Sequence, residues 1–383
     1  MRLAVKDLID VKGVVSTAGS EYISKHNVPA LRDAKCLEGA REKNVLLVGK
    51  TNLSELGVAP SGLNRYFRTP KNPLNRRVNL IPGGSSSGSA VAVADGLADV
   101  AFGTDTAGSI RVPAACCGVV GLKTTFGLIP LKGVFPIEPE HLDTIGPIGK
   151  DVPHTAKGMD LLTPGFMHKY EAAVAAKPSA RGIRIGRLYL DGTEPKIDQA
   201  VDESLRRAGF KVVKLDSRLK SDWNQAESDG TAVAAGGAWL NDRFWADKPG
   251  ITARTKAVLA LGEITYNLAY EPALRRQKPW QRTLRRVLMR VDFIAMPTLN
   301  GLPPRVPPFL GSPLFETRIL GLENTVAVNF AGNPALAVPV PVNDKIVPLT
   351  SIQLIGRPRD EAGLLNAGRL IEASQKDSGP RAE

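Results

Sequence analysis

Histidine is almost absent from this chain: only His26, His141, His154 and His168 occur in 383 residues. None lies near a serine- or glycine-rich segment and none follows position 168, so a serine triad with a late histidine is excluded. Cysteine is as scarce. Cys36, Cys116 and Cys117 are odd in number and show no paired CxxC spacing, which argues against a disulfide framework and a structural zinc site. Reduced thiols and a cytoplasmic location are expected. No apolar run approaches the ~18 residues of a membrane span, and the N-terminus lacks the apolar core of a signal peptide. Aromatics make up 5% of the chain, and no motif of stacking aromatics accompanies its basic residues, so no nucleic-acid partner is expected.

What is present is ordinary in bulk: 43% hydrophobic and 23% charged residues, enough chain for a large core as one domain or two. The net charge of +12 is concentrated in part at Arg275, Arg276, Lys278, Arg282, Arg285, Arg286 and Arg290. We read that cluster as the solvated face of a helix rather than a patch for nucleic acid, an anionic membrane or an acidic substrate.

The unusual stretch runs from Gly83 to Ser109, GGSSSGSAVAVADGLADVAFGTDTAGS, and continues as IRVPAACCGVVGLK. Two Gly/Ser-rich loops flank small apolar residues, a composition that leaves backbone N–H groups uncovered. In the second loop Ser109 follows small residues whose consecutive amides, Thr106, Ala107, Gly108 and Ser109, can converge on an oxyanion. With histidine missing, the proton acceptor for a serine nucleophile is best sought in a lysine held neutral by burial. Lys6, in LAVKDLIDVKG, has that setting. GSSSG at Gly84–Gly88 also satisfies a G-x-S-x-G elbow with Ser86 as nucleophile, but that reading needs the late histidine. GKT at Gly49–Thr51 lacks the glycine at position 44 that a phosphate-binding loop requires.

This segment resembles the signature of the amidase signature family of serine hydrolases, close to GGSSGGSA, a small apolar spacer, then GTDTGGSIRxPAxxCGxxGLKPT. The resemblance extends through VSTAGS at 15–20, VGKTNLSEL at 48–56, LDTIGPIGKDV at 142–152, and NFAGNPALAVPV with SIQLIGRPRDEAGLL. It implies a Ser-Ser-Lys triad of Ser109 as nucleophile, Ser85 as bridging serine at a cis peptide bond, and Lys6 as base, with no metal or organic cofactor. Ser86 would support the first loop, and Asp105 with Arg111 would form an internal ion pair fixing the second. The implied fold is α/β, a central mixed β-sheet covered by α-helices on both faces. It forms a single amidase domain over 1–383, with 1–160 and 320–375 as catalytic core and 165–315 as the variable substrate-pocket region.

The implied activity is hydrolysis of a small-molecule carboxylic amide through an acyl-enzyme. A role like that of the amidotransferase A-subunits and a non-catalytic binding module are the alternatives. Ser87 and Ala107 stand where the family commonly has glycine; Ser87 also occurs in the smaller members that resemble plant indoleacetamide hydrolases, whereas Ala107 disfavours a positive φ in the oxyanion loop. The chain starts five residues before Lys6, where relatives carry a helical segment. Uncovered apolar surface there, a homodimer that covers it, and a disfavoured amidotransferase role are therefore expected.

Read in order, periodicity predicts a strand in 3–11, a helix over 30–44, a strand at 45–48, a helix at 86–97 and a strand at 100–103. It then predicts a short helix at the paired cysteines and a surface crossing over 164–182. A strand, helix, strand unit follows at 183–190, 196–208 and 210–215. Helices over 222–247 and 252–291, a strand at 292–298 and a loop at 303–313 come next. The chain closes with a helix at 316–331, strands at 335–340 and 350–355, and a helix over 360–375.

Overall fold

The computed structural model describes residues 1–308 and 311–376; the rest of the expected 1–383 domain, including two positions of the 303–313 loop, lies outside the described residues. Ten strands build one sheet: β1 (Arg2–Lys6), β2 (Leu46–Thr51), β3 (Val100–Asp105), β4 (Val120–Lys123), β5 (Thr144–Gly149), β6 (Arg184–Arg187), β7 (Lys211–Lys214), β8 (Phe293–Pro297), β9 (Ala335–Pro341) and β10 (Leu349–Ile355). Their order is β2-β1-β3-β5-β4-β9-β10-β8-β6-β7. β1 runs parallel to both its neighbours, the central strands from β3 across to β8 pair antiparallel, and β6 is parallel to β7 and β8. Helices cover both faces, so the fold is the expected α/β arrangement around a mixed sheet.

The two-residue period of the strands sorts bulk between the faces. Leu3, Val5, Val100, Phe102, Leu336 and Val338 point to one side and bury the helices Val152–Leu162, Phe166–Ala176 and Glu361–Lys376. Ala4, Ala101 and Ala337 point to the other, against the helices Ser87–Ala94 and Arg111–Cys117. Small residues on that side let the serine loops approach the strands: a Cβ on Gly103 would come within 2.9 Å of Ser86 Oγ. Farther along the sheet, Trp223, Trp280, Leu284 and Phe330 pack on Ile294 and Met296 beneath the helices Ser217–Asp242 and Glu271–Leu288.

Several local expectations change. The helix expected over 30–44 shrinks to a 3-10 turn at Lys35–Leu37 and the helix Glu38–Glu42, and Leu31 is 87% exposed. Pro29 and long-range backbone bonds, Ala30 N to Val14 O and Ala34 N to Asp10 O, hold this stretch extended instead. The crossing at 164–182 contains the helix Phe166–Ala176, which buries Phe166 and Tyr170. The helix expected over 316–331 is two helices, Pro313–Leu320 and Val326–Ala331. Asn324 breaks it by donating its backbone N–H to Thr298 O. The long helix over 252–291 is interrupted by a π-helical turn at Tyr266–Tyr270.

In Glu271–Leu288 the apolar stripe Ala273, Trp280, Leu284 and Leu288 is buried, while Arg275, Arg282, Arg285 and Arg286 are exposed and Arg276 pairs with the buried Asp229 at 2.6 Å. No helix among the described residues is long and apolar enough to cross a membrane.

Candidate active site

Lys6 ends β1, the strand between β2 and β3, and is fully buried. Its Nζ donates to Ser85 Oγ at 2.7 Å and to Thr104 Oγ1 at 2.8 Å. Burial pulls the Lys6 ammonium down to about 7, against the opposing charges of Asp105 and Asp143. The neutral side chain, the state a base requires, is thus accessible near neutral pH. Ser85 follows a cis Gly84–Ser85 peptide bond, in a loop with no room for more bulk: a Cβ on Gly84 would meet Gly62 N at 2.7 Å and Ala59 O at 2.8 Å.

The loop after β3 is closed by one carboxylate. Asp105 Oδ2 accepts from Ile110 N at 3.0 Å and Arg111 Nε at 3.1 Å, and Oδ1 accepts from Arg111 Nη2 at 2.9 Å. Both side chains are fully buried. Burial pushes the Asp105 carboxyl up, but the Arg111 charge and hydrogen bonds, with the Lys123 charge and Asn329, outweigh it and hold it at about 2. Arg111 also donates to Thr325 O and to Gln353 Oε1. Tying both ends of the loop in this way leaves its middle free, and among the described residues none of the amides of Thr106, Ala107, Gly108 and Ser109 donates to a protein acceptor.

The loop's sides are braced as well. Thr106 Oγ1 donates to Asp143 Oδ1 at 2.6 Å, and Thr325 Oγ1 donates to Ala107 O. The positive φ falls on Gly108 (139°) and not on Ala107, so the alanine is accommodated. A Cβ on Gly108 would come 2.3 Å from Thr325 Oγ1.

Ser109 opens on a cavity of about 130 Å³, together with Gly84, Thr106, Ala107 and Gly108. Small and apolar side chains, Ala234, Ala235, Ala238 and Val258, form its far wall, with Glu227 and Glu323 as its acidic members. Ser86 is fully buried and is not part of this lining; its N–H donates to Ser109 O at 3.2 Å and its Oγ to Thr104 O at 3.4 Å. The structure therefore puts the 106–109 loop on the opening, with Asp105 and Arg111 buried behind that loop and the buried Lys6–Ser85 pair next to Gly84 of the lining. It joins Lys6 directly to Ser85, while no side-chain hydrogen bond joins Ser85 to Ser109 among the described residues.

Four participants in this geometry escaped the sequence reading. Thr104 and Asp143 sat inside quoted motifs, GTDT and LDTIG, without a chemical role of their own. Glu227 and Glu323 fell in segments read only as helical. A further buried lysine, Lys123, is pulled down to about 7 by burial and the Arg111 charge, but it donates to Thr124 O and Asn333 O and stands apart from the cavity. Cys116 and Cys117 are buried and free, their thiols pushed up by burial, which leaves them packing residues.

The sequence matches the family model described as Amidase over residues 1–365. The A-subunit of glutamyl-tRNA(Gln) amidotransferase from Halobacterium salinarum is 30% identical, the alignment covering 97% of this chain and 94% of that protein. A solved structure of the protein of that name from Thermotoga maritima superposes with a TM-score of 0.80 at 25% identity, over 100% of this chain and 84% of that chain. An inhibitor-bound complex bearing on the evolutionary origins of an s-triazine catabolic enzyme gives a TM-score of 0.83 at 25% identity, over 98% of this chain and 84% of that one.

Proposed function

This chain belongs to the amidase family of amide-cleaving enzymes, and we propose that it hydrolyses a small-molecule carboxylic amide through an acyl-enzyme on Ser109. The observation that carries the reading is the contact between buried Lys6 and Ser85, 2.7 Å, below a cavity onto which Ser109 opens beside four unengaged backbone amides. Neutral Lys6 accepts the Ser85 hydroxyl proton while Ser85 accepts that of Ser109, and Ser109 Oγ bonds to the amide carbon. The oxyanion forms against the amides of Thr106, Ala107, Gly108 and Ser109, which need no rearrangement because Asp105 and Arg111 already hold the loop. As the tetrahedral species collapses, the proton on Lys6 returns through Ser85 to the leaving nitrogen, and ammonia or an amine departs. Water then attacks the ester by the same relay and releases the acid and free Ser109.

A fluorophosphonate probe tests the nucleophile. Labelling of Ser109 in the intact chain, lost in Ser109→Ala, with amine release from a panel of aryl, alkyl and indole acetamides, supports the reading. Labelling at Ser86, or none, overturns it and returns the binding-module alternative.

A second reading is favoured by the amidotransferase relatives named above: one component of a complex, releasing ammonia for a tRNA-linked substrate. Glutamine hydrolysis that appears only with partner chains would select it over stand-alone amide hydrolysis. Exposed Leu46 and Val48 on the edge strand β2 are the surface we assign to a homodimer, which light scattering checks. We place the protein in the cytoplasm, on its three free, buried thiols.

A further inference from the structure

The cavity that Ser109 faces contains two carboxyl groups that form no ion pair with any of the described residues. Glu227 comes from the helix Ser217–Asp242, and Glu323 from the break between the helices Pro313–Leu320 and Val326–Ala331; both line the cavity. The Oε1 atom of each is sealed from solvent and has no hydrogen-bond partner. Buried carboxylate oxygens are normally paired, and an orphaned one marks a place where a partner is missing.

Arg111, the cation whose charge acts on both groups, is committed elsewhere, as is Arg254 on the neighbouring helix. Arg111 is used by Asp105, Gln353 and the Thr325 carbonyl, and Arg254 by Glu316 at 2.9 Å. Burial pushes the Glu227 carboxyl up to about 8, although the Ala327 and Val326 amides, the Trp223 indole and the Arg111 charge favour its ionised form. Burial and the charges of Glu227 and Asp105 push Glu323 well above the carboxylate range. Two like groups that oppose each other's ionisation are relieved by a positive charge between them, and a neutral donor relieves only their unfilled lone pairs. The chain as a whole carries +12, so these acids do not reflect a generally acidic surface.

We infer that the non-reacting end of the substrate carries a cationic nitrogen group with several N–H donors, of the ammonium, guanidinium or amidinium class, seated against Glu227 and Glu323. This inference rests on the amidase reading for the reacting end alone; the subsite itself is a binding property. A cavity of about 130 Å³ has room for a short chain at this end. The apolar wall of Ala234, Ala235 and Val258 would cover its carbons while the carboxyls take its nitrogens.

The test is direct binding to the full chain by calorimetry, with ethylguanidinium chloride and the isosteric neutral ethylurea as probes. It is carried out on the wild type and on Ser109→Ala, Glu227→Gln and Glu323→Gln. We expect ethylguanidinium to bind at least ~10-fold more tightly than ethylurea in the wild type and in Ser109→Ala, a modest return for one new charge-assisted contact. Either glutamine substitution should erase most of that preference, and ethylguanidinium should slow fluorophosphonate labelling of Ser109. The labelling rate of each glutamine variant shows that its loop is intact. Equal binding of the two probes by the wild type overturns the inference whatever the variants do, as does a preference that survives in both glutamine variants. Failure of the hydrolase reading looks different: no amide is cleaved and Ser109 is not labelled, while the guanidinium preference stands.

Discussion

Lys6 Nζ and Thr104 Oγ1 lie 2.8 Å apart, on the paired strands β1 and β3. A neutral lysine has two N–H donors and one lone pair. With one donor fixed on Thr104, the lone pair can turn towards the other contact, Ser85 at 2.7 Å. Thr104 is in this sense a positioning residue, set by the register of the sheet.

Replacing it with the isosteric valine should therefore affect rate more than binding. We expect Thr104→Val to lower kcat for an amide by on the order of 10-fold with KM little changed, through misorientation of the base. The acceptor also favours the ammonium form, so its loss should move the midpoint of the alkaline rise in kcat/KM to lower pH. Stopped-rate measurements from pH 5 to 9 would show both effects. An unchanged kcat and midpoint would leave Thr104 a packing residue.

Arg111→Met offers a test of the loop clamp. It leaves the buried Asp105 carboxylate without its ion-pair partner, and removal of one member of a buried pair costs about 3–5 kcal/mol. The midpoint of urea unfolding should fall accordingly. Acid unfolding should shift as well. With the folded Asp105 at about 2 against an ordinary 3.8, its ionised form stabilises the fold above the unfolded value, and that contribution is lost as the pH falls through the folded one. Without Arg111 the folded value rises, so the variant should unfold at a higher pH than the wild type. Equal acid midpoints would separate the ion pair from the stability of the loop.

Much of this site was legible because its chemistry is packed into short, low-bulk segments. Gly84 and Gly108 occupy places where a Cβ would strike backbone or Thr325, and such positions leave a mark in the sequence. β3 was visible over 100–103 because its buried start, VAFG, is an unbroken run of apolar and small residues. β4 and β5 were missed as strands: VGLK and TIGPIG carry glycine, proline and lysine, and only pairing with neighbours makes them extended. Glu323 could not have been placed on the cavity from local pattern, since the helix break that turns it inward depends on the distant Thr298 carbonyl. Glu227 lies on a helix, Ser217–Asp242, whose first half is largely polar and whose second half is small and apolar, so no stripe marks the face that lines the cavity.

The role of Lys6 is the most exposed part of the proposed mechanism. An amide nitrogen must be protonated before it can leave, whereas an activated ester departs as a phenoxide with little help. If Lys6 supplies that proton through Ser85, Lys6→Ala should depress amide hydrolysis by ~10²-fold or more relative to the matched ester. A lysine that only supports the loops would behave otherwise: its loss would displace Ser85 and lower both activities by one factor. The pH profile separates the cases independently. The Lys6 value of about 7 places the neutral form above neutrality, so kcat/KM for the amide should rise through pH 7 and level off, and the rise should vanish in Lys6→Ala. The same shift acts on stability with a fixed sign. Between about 7 and the ordinary 10.5 the unfolded lysine holds a proton that the folded one has lost, so this group makes the wild type more stable as the pH rises across that window. The alanine variant lacks that slope. Equal losses on amide and ester, with a pH profile like that of the wild type, would take Lys6 out of the proton path and leave Ser109 in need of another base.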